Sequence, residues 1–458
     1  MQEKKLTGIC KEVAKNLEGK NLDGYEVYAS NSVENDIEVF EGRVDSLSFS
    51  DSSGIGIRVF KDNAIGYAYT SMLEGSSISD CVERAIENSR ITTKEDINAL
   101  PGKEEYLYPE KTTGTDSLFS KNYFKLKPEE KIKATKDLEK ITKGKDNRIK
   151  GIQDVMYHDN ALEVALINSK GFSDSYRASG CFMYISAISK QNDDTSTGDY
   201  FGFGRDLGQI DLDDIASNAA KRSIMLLGGK KVKSQKMDLI LDPLVAAQLM
   251  GVIADALTAD SVQKGKSIFK GKIGKKIFSI DIDIYDNGVL EGGLSSAPFD
   301  GEGVYRGKTA VVKDGTLETF LYNAYTARKD KTKSTGNAQR ASYRSTPSVG
   351  LSNFYVEPGS MSARDIISGT SRGFMVSDII GLHSGANPIS GDISVGAKGL
   401  LVENGSITAP VKEVTIATNF LGLCKSIKMV ADDLRFVPSS GYIGSPTMLV
   451  EGIMVAGT

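Results

Sequence analysis

The chain has 458 residues, and its 56 Lys and Arg residues against 60 Asp and Glu residues give a net charge of −4. With 40% hydrophobic and 25% charged residues it has the composition of an ordinary soluble protein. The slightly acidic balance weighs against nucleic acid as the main partner, because phosphate binding needs a basic surface. The length exceeds what one hydrophobic core usually supports, so we expect two domains.

Histidine and cysteine are scarce. The two histidines, His158 and His383, lie far apart in the sequence, which excludes an HExxH-type zinc helix or a local imidazole cluster within this chain. The four cysteines form no CxxC pair and are typical of small, partly buried residues in a reducing compartment. No stretch approaches the roughly 20 apolar residues of a membrane span, and the first residues lack a signal-peptide core. We therefore expect a cytoplasmic protein without a membrane partner.

Residues 1–229 predict an N-terminal α+β domain in which helices flank antiparallel hairpins. The predicted elements are a helix over 6–17, strands over 25–40, 44–50, 54–60 and 64–70, a helix over 78–89 capped by Ser77 or Ser79, a polar loop over 95–124, a helix over 128–143, strands over 149–157, 162–167 and 175–189, and a helix over 212–227. Gly228-Gly229 is a stop signal for the last helix, and the polar run after it predicts the domain boundary.

Residues 230–458 predict a β-rich C-terminal domain. A short strand over 237–241 precedes a helix over 242–258, and apolar side chains cover nearly all faces of that helix, as in a helix buried in a core. Beyond Gly265, strands and glycine turns dominate. Asp314-Gly315 and Asn404-Gly405 predict hairpins, because these pairs accept the positive φ of type I′ turns. The fold class predicted for the whole chain is α+β, with two domains of antiparallel sheets, hairpins and packed helices.

Two segments near the C-terminal third contain residues with catalytic potential. The segment 369–373 matches the G-x-S-x-G nucleophile elbow around Ser371, but a helix is predicted before it and a strand after it, the reverse of the order that the elbow needs. The segment 381–394 holds His383 and Asp392 among glycines and serines, and such polar loops commonly line clefts. His383 could act as an acid or a base if a partner folds beside it.

Short motifs distributed over most of the chain occur in one order and spacing. They are Gly54-Ile55-Gly56-Ile57-Arg58-Val59, Gly66-Tyr67-Ala68, Asn168-Ser169-Lys170-Gly171, Lys264-Gly265-Lys266-Ser267, Asp300-Gly301-Glu302-Gly303, Ser334-Thr335-Gly336-Asn337-Ala338, His383-Ser384-Gly385, Ser390-Gly391-Asp392-Ile393-Ser394 and Val402-Glu403-Asn404-Gly405. In these motifs the chain resembles the TldD/PmbA (TldE) family, once described as modulators of DNA gyrase and regarded as a metalloprotease system.

The resemblance implies that the zinc site of the family is missing here. TldD-type subunits carry a HExxxH helix and a C-terminal Cys as zinc ligands. Counted back from the segment 264–267, Met250 and Asp255 occupy the two histidine positions and Gly251 occupies the glutamate position, while the stretch 439–446 contains no Cys. Catalytic zinc needs three protein ligands and an open position for water, so the resemblance implies neither a catalytic residue nor a metal ligand in this chain.

The resemblance therefore implies a PmbA/TldE-type subunit of a cytosolic TldD/TldE metallopeptidase complex that degrades or processes unfolded or leader-like peptides. Its partner would be a TldD-like subunit that carries the zinc, or a second copy of the chain. Residues expected to face the peptide cavity are Asn337, His383, Asp392 and Ser394. Two alternatives remain open at this point, namely a free-standing hydrolase that uses Ser371 and His383, and a homodimeric peptide-binding module without catalysis.

Overall fold

The computed structural model describes residues 6–102, 117–439 and 441–457. Its strands form three six-stranded sheets and a two-stranded ladder, with helices packed against the sheets, which confirms the α+β class. The α-helices are α1 (Leu6–Leu17), α2 (Gly75–Ser89), α3 (Pro128–Gly144), α4 (Leu212–Ile224), α5 (Pro243–Ala256), α6 (Ala259–Gln263), α7 (Ala324–Lys329), α8 (Ala363–Gly369), α9 (Leu382–Gly385) and α10 (Phe420–Ser426). No helix within these ranges is long and apolar enough to cross a membrane.

The first sheet is antiparallel throughout. Its strands are β1 (Gly24–Phe40), β2 (Arg43–Lys61), β3 (Ala64–Thr70), β4 (Ile149–Asn168), β5 (Ser173–Gln191) and β6 (Asp194–Gly204), in the order β3-β2-β1-β4-β5-β6. The predicted breaks within β2 and β4 are wrong. Residues 51–53 pair with β1 at 31–33, and His158, expected near a strand end, pairs with Asp36 in mid-strand. Backbone ladder bonds continue through these polar residues because one face of an antiparallel strand can be wet.

The two faces of the first sheet pack against different partners. Along β1, Val27 and Ala29 face α1 and α2, while Ile37 and Val39 face α3 and α4. Tyr28 belongs to a cluster with residues from the second half of the chain. Since successive side chains of a strand point to opposite faces, helices cover one face and the second half of the chain covers the other.

The second half contains two sheets around a shared core. The strands are β7 (Gln235–Leu241), β8 (Ile284–Asn287), β9 (Lys308–Lys313), β10 (Thr316–Leu317), β11 (Ala338–Gln339), β12 (Ser348–Val349), β13 (Asn353–Val356), β14 (Arg372–Ile380), β15 (Asp392–Glu403), β16 (Ser406–Asn419), β17 (Ile427–Val430), β18 (Arg435–Pro438), β19 (Tyr442–Ser445) and β20 (Met448–Ala456). One sheet has the order β10-β9-β8-β13-β19-β18, and the other has the order β16-β15-β14-β7-β20-β17. Because β16 also pairs with β20, five strands of the latter close into a barrel.

Helix α5 lies in the core that these two sheets share, and ten of its fourteen residues are buried, in agreement with the predicted buried helix. The hairpin turns at Asp314-Gly315 and Asn404-Gly405 are also confirmed, and all four residues have positive φ. The boundary at 229/230 stays a prediction, although the largest core cluster is drawn entirely from residues after it.

Some predicted helix ends differ from the structure. Helix α2 begins at Gly75, and Glu74 precedes it without a side-chain cap, so neither Ser77 nor Ser79 is the cap. Ser79 instead donates to the Gly75 carbonyl inside the helix. Helix α4 ends at Ile224, three residues early, and Asp211 caps its start. Of the predicted loop over 95–124, residues 103–116 lie outside the described residues, and Tyr123–Lys125 form a 3₁₀ turn. All four cysteines are free and buried.

The contact between α4 and β6 depends on a missing side chain. A Cβ atom at Gly198 would lie 2.1 Å from the backbone nitrogen of Ser223 on α4. We expect Gly198→Ala to lower the free energy of unfolding by about 1–3 kcal/mol, because the helix must move off the strand. Gly151→Ala is the matched control, since its nearest neighbour is a side-chain atom of Ile188 at 3.7 Å, and it should change stability by under about 0.5 kcal/mol. Urea unfolding curves of both variants test this, and equal effects would contradict it.

Candidate functional site

Helix α5 carries Met250, Gly251 and Asp255, the residues at which the resemblance predicts a missing zinc motif, and its N-terminus is well anchored. The Asp242 carboxylate accepts from the Leu244 backbone nitrogen at 3.0 Å and so caps the helix. Arg222 of α4 binds the other oxygen of Asp242 at 3.1 Å and also donates to the Ser377 carbonyl. The helix is therefore tied both to the N-terminal half and to β14.

One side of α5 faces the C-terminal strands. A Cβ atom at Gly251 would lie 3.6 Å from Ser439 Oγ and 3.7 Å from Ile443 Cγ1. The fold thus brings Gly251 beside Ser439 and Ile443 of the C-terminal segment. That these positions correspond to the family's glutamate and cysteine stays a prediction.

The donor set at this place does not suit zinc. The Met250 side chain is buried in the apolar core, Gly251 has no side chain, and Asp255 is exposed. Across residues 6–102, 117–439 and 441–457 there is no group of three or more His, Cys, Asp or Glu residues that could hold a metal ion. A buried thioether and one exposed carboxylate do not replace two imidazoles and a thiolate.

An aromatic groove lies beside the start of α5. Strand β6 and strand β18 are each the last strand of their sheets, and residues of both line this groove of about 310 Å³ together with Leu244. Phe203 packs edge-on against Tyr442 with ring centroids 4.8 Å apart, and Phe436 stacks on Tyr442 at 5.9 Å. The groove therefore combines two terminal strands with an aromatic wall.

The residues predicted to face a peptide cavity lie in different environments. Asn337 is buried, and its amide donates to Asp286 at 2.6 Å and to the Gly350 carbonyl at 3.0 Å. Burial raises the pKa of Asp286. Asn337 therefore holds the loop after α7 against β8. These contacts do not test the expected role of Asn337 in peptide binding.

His383, Asp392 and Ser394 are all exposed, in α9 and at the start of β15. Asp392 accepts from the Ser390 hydroxyl at 2.7 Å, so its carboxylate orders its own loop. Ser371 lies at the other end of β14 from His383, and nine residues of strand at about 3.3 Å each separate the two ends by roughly 30 Å. The structure does not bring Ser371 and His383 together, and the helix–strand order around Ser371 is the reverse of a nucleophile elbow, as predicted.

Sequence reasoning missed a buried charge network where the first sheet meets the second half. Arg58 donates to Glu26 at 2.9 Å and to Glu302 at 3.0 Å. Arg340 binds the other oxygen of Glu26, and its guanidinium lies 4.8 Å from the centre of the Tyr28 ring. Two guanidiniums and two carboxylates thus neutralise one another. The carboxylates raise the pKa of Arg58 despite its burial.

The glycines of the motif around Arg58 make room for this contact. A Cβ atom at Gly54 would lie 2.3 Å from the Tyr343 ring, and one at Gly56 would lie 2.4 Å from the Tyr343 carbonyl. Because Gly54, Gly56 and Arg58 alternate on one face of β2, the glycines admit Tyr343 while the arginine reaches Glu302. Two of the motifs that carry the family resemblance, 54–59 and 300–303, therefore meet at the contact between the two halves.

Asp300 organises the loop that presents Glu302. Its Oδ1 accepts from the backbone nitrogens of Glu302 at 2.9 Å and Val304 at 3.0 Å, and its Oδ2 accepts from Ala338 at 3.0 Å. Burial, and next the nearby Glu302 carboxylate, raise the pKa of Asp300 to about 7. The loop borders a cavity of about 270 Å³ between the two halves, lined also by Arg205 and Arg306.

The chain matches family models along most of its length. Residues 25–89 match PmbA/TldA metallopeptidase domain 1, residues 121–227 match the central domain, and residues 234–457 match the C-terminal domain. Metalloprotease PmbA of Escherichia coli O157:H7 is 26% identical over 453 residues, which cover 98% of this chain and 97% of that protein.

Solved structures share the whole fold. A Thermotoga maritima protein named for modulation of DNA gyrase is 28% identical, with a TM-score of 0.87 over 98% of this chain and 99% of that one. TldE from Thermococcus kodakarensis is 22% identical, with a TM-score of 0.85 over 98% of this chain and 99% of that one, which shows likeness of fold. These matches define the fold as that of a metallopeptidase family. The chain belongs to the PmbA/TldD metallopeptidase family.

The buried network can be tested by removing one charge. We expect Glu26→Gln to lower the free energy of unfolding by about 3–5 kcal/mol, because Arg58 and Arg340 both lose a buried partner. Glu83→Gln removes an exposed ion pair with Lys20 at 2.6 Å and should cost less than about 1 kcal/mol. Urea unfolding measures both, and a small effect of Glu26→Gln would show that the network does not hold the halves together.

Proposed function

We propose that this chain is the PmbA/TldE-type, non-catalytic subunit of a TldD/TldE-type peptidase complex, which pairs with a zinc-bearing TldD-type subunit and acts on unfolded or leader-like peptides. The observation that carries the proposal is the donor set at α5, where Met250, Gly251 and Asp255 offer no zinc site in a chain of a metallopeptidase family. The fold of the family is retained, and the metal-binding side chains of this helix are not.

The groove between β6 and β18 is a suitable place for an extended peptide. Each of these strands has pairing on one side only, so its other edge presents backbone donors and acceptors. An extended peptide that adds to such an edge is held by main-chain hydrogen bonds and therefore with little dependence on its sequence. The aromatic rings of Phe203 and Phe436, which line the groove, would contact alternate side chains of the peptide.

The hairpin of β1 and β2 offers a surface for the partner subunit. Residues 43–54 of β2 pair with β1 only, because β3 pairs only with 55–61. Leu47 pairs with Ile37 and therefore lies on the face of the sheet that α3 covers, and Phe49, two residues later, lies on the same face. Leu47 is nevertheless 59% exposed and Phe49 is 66% exposed. An apolar face that continues beyond its helix, next to a free strand edge, is typical of an interaction surface.

The first test combines metal analysis with reconstitution. Purified alone, the chain is expected to hold well under one zinc per molecule and to cleave no peptide. Mixed with a TldD-type protein that carries HExxxH, from the same organism, it should form a larger species on size exclusion and support cleavage of an unfolded peptide. The partner with its HExxxH glutamate replaced by Gln is the control and should assemble without cleaving.

Each outcome of that test decides one part of the proposal. Stoichiometric, tightly bound zinc in the chain alone would overturn the non-catalytic assignment. Failure to form a mixed species would overturn the partner role. Peptide binding without turnover, even with the partner present, would favour the alternative of a homodimeric binding module.

A second test addresses the hairpin. The double variant Leu47→Asp with Phe49→Asp should weaken association with the partner about tenfold or more, because both exposed apolar side chains become charged. Ser48→Asp, on the opposite face of the same strand, is the matched control and should associate normally. Analytical ultracentrifugation measures both. Normal assembly of the double variant would place the interface elsewhere, and a dimer of the chain alone that this variant dissolves would identify a second copy as the occupant.

The alternative of a free-standing hydrolase receives no support from the geometry. Ser371 and His383 lie at opposite ends of β14, and His383 is exposed. A general base must lie within hydrogen-bonding reach of the hydroxyl that it activates. The pair Ser371 and His383 therefore cannot act as nucleophile and base in this fold.

A further inference from the structure

The cavity between the two halves is lined by two guanidiniums, those of Arg205 and Arg306, that form no ion pair among the described residues. Its volume of about 270 Å³ corresponds to roughly nine water molecules. Strand β5 forms one wall with Ala178 and Ser179, and the loop around 294–306 forms the other. The cavity lies on the face of the first sheet that packs against the second half.

Arg205 is the more buried of two guanidiniums in this cavity, and its side chain bonds only carbonyl groups. The residue is 6% exposed, and it donates to the carbonyls of Ser179 at 3.1 Å and of Gly293. Its Nε is buried and has no acceptor among the described residues. Burial lowers the pKa of Arg205 to about 10, as expected for a cation without a counter-charge.

Arg306 lines the same cavity, and its guanidinium also donates to a backbone carbonyl. Its Nη1 donates to the Ser295 carbonyl at 2.9 Å, and its buried Nε also has no acceptor within the described ranges. Asp300 borders the cavity too, but three backbone N–H groups already occupy its two oxygens. Neither Arg205 nor Arg306 forms an ion pair with any residue that the structure describes.

The neighbouring charges cannot supply the missing partner. Arg58 and Arg340 are matched by Glu26 and Glu302. A buried guanidinium without a counter-ion is costly, and a planar guanidinium offers its donors in a geometry that suits a carboxylate or a phosphate.

We propose that this cavity binds a small oxyanion, which Arg205 and Arg306 hold together. The shared chemistry is that of carboxylate or phosphate oxygens attracted to the two guanidiniums that line the cavity. Tyr28, Tyr176 and Phe299 form an aromatic wall of the cavity that could pack against a short carbon chain. Binding of the anion needs neither zinc nor a partner subunit. It can therefore be tested independently of the proposed function.

The test is anion titration of the full chain. Isothermal titration and thermal unfolding are followed with inorganic phosphate, acetate and succinate, and sodium chloride at matched ionic strength is the reference. We expect saturable binding and a rise of Tm with phosphate or with the carboxylates. Tighter binding of phosphate would identify a phosphate site, and tighter binding of succinate would identify a carboxylate site.

Three variants locate the effect. Arg205→Met should weaken anion binding about tenfold or more, because a buried charged partner is lost. That change also leaves the carbonyls of Ser179 and Gly293 without a donor, so a second variant is needed. Ala178→Asp places a carboxylate in the cavity and leaves Arg205 intact. It should also abolish the anion-dependent rise in Tm. Arg372→Met removes an exposed arginine on β14 and is the control for charge alone.

Two results would overturn the proposal. One is the absence of saturable binding of phosphate, acetate and succinate to the wild-type chain. The other is an equal loss for Arg372→Met and Arg205→Met, which would mean that the anions act through the general charge of the surface. Retained binding in a folded Ala178→Asp variant would count against the cavity as well.

Discussion

The pairing of Glu26 with Arg58 and Arg340, completed by Glu302, is the interaction on which the arrangement of the two halves depends. All four side chains are buried, and a buried charge is tolerated only when it is paired and hydrogen-bonded. Any displacement of the first sheet relative to the second half would separate these charges, so one relative position is strongly preferred. The glycines that precede Arg58 on β2 admit Tyr343 to the same surface and make the contact close.

Side chains of the first sheet alternate between its two faces, and this alternation relates the contact between the halves to the aromatic groove and the cavity. Helices cover one face, and the second half covers the other, which leaves β6 at the end of its sheet beside β18. The same packing encloses the cavity that Arg205 and Arg306 line. The aromatic groove and the cationic cavity are therefore both consequences of how the halves meet, although they would serve different ligands.

Helix α5 is held by contacts that need no metal. Its cap at Asp242, its bond to Arg222 and its burial between two sheets fix its position. Gly251 faces the C-terminal segment around Ser439. The packing of the helix is therefore complete with the residues present, while the aromatic groove and the hairpin of β1 and β2 lie on other surfaces of the fold.

The sequence by itself determined the α+β class, most helices and the turns at Asp314-Gly315 and Asn404-Gly405, because these follow from local periodicity and turn chemistry. Only the tertiary structure decided that β2 and β4 continue through polar residues, since pairing with β1 sustains them. It also decided that Glu26 meets Arg340 across 314 positions and that Arg205 lacks a carboxylate. Such long-range pairing is set by sheet register and by the docking of the halves, which no local pattern encodes.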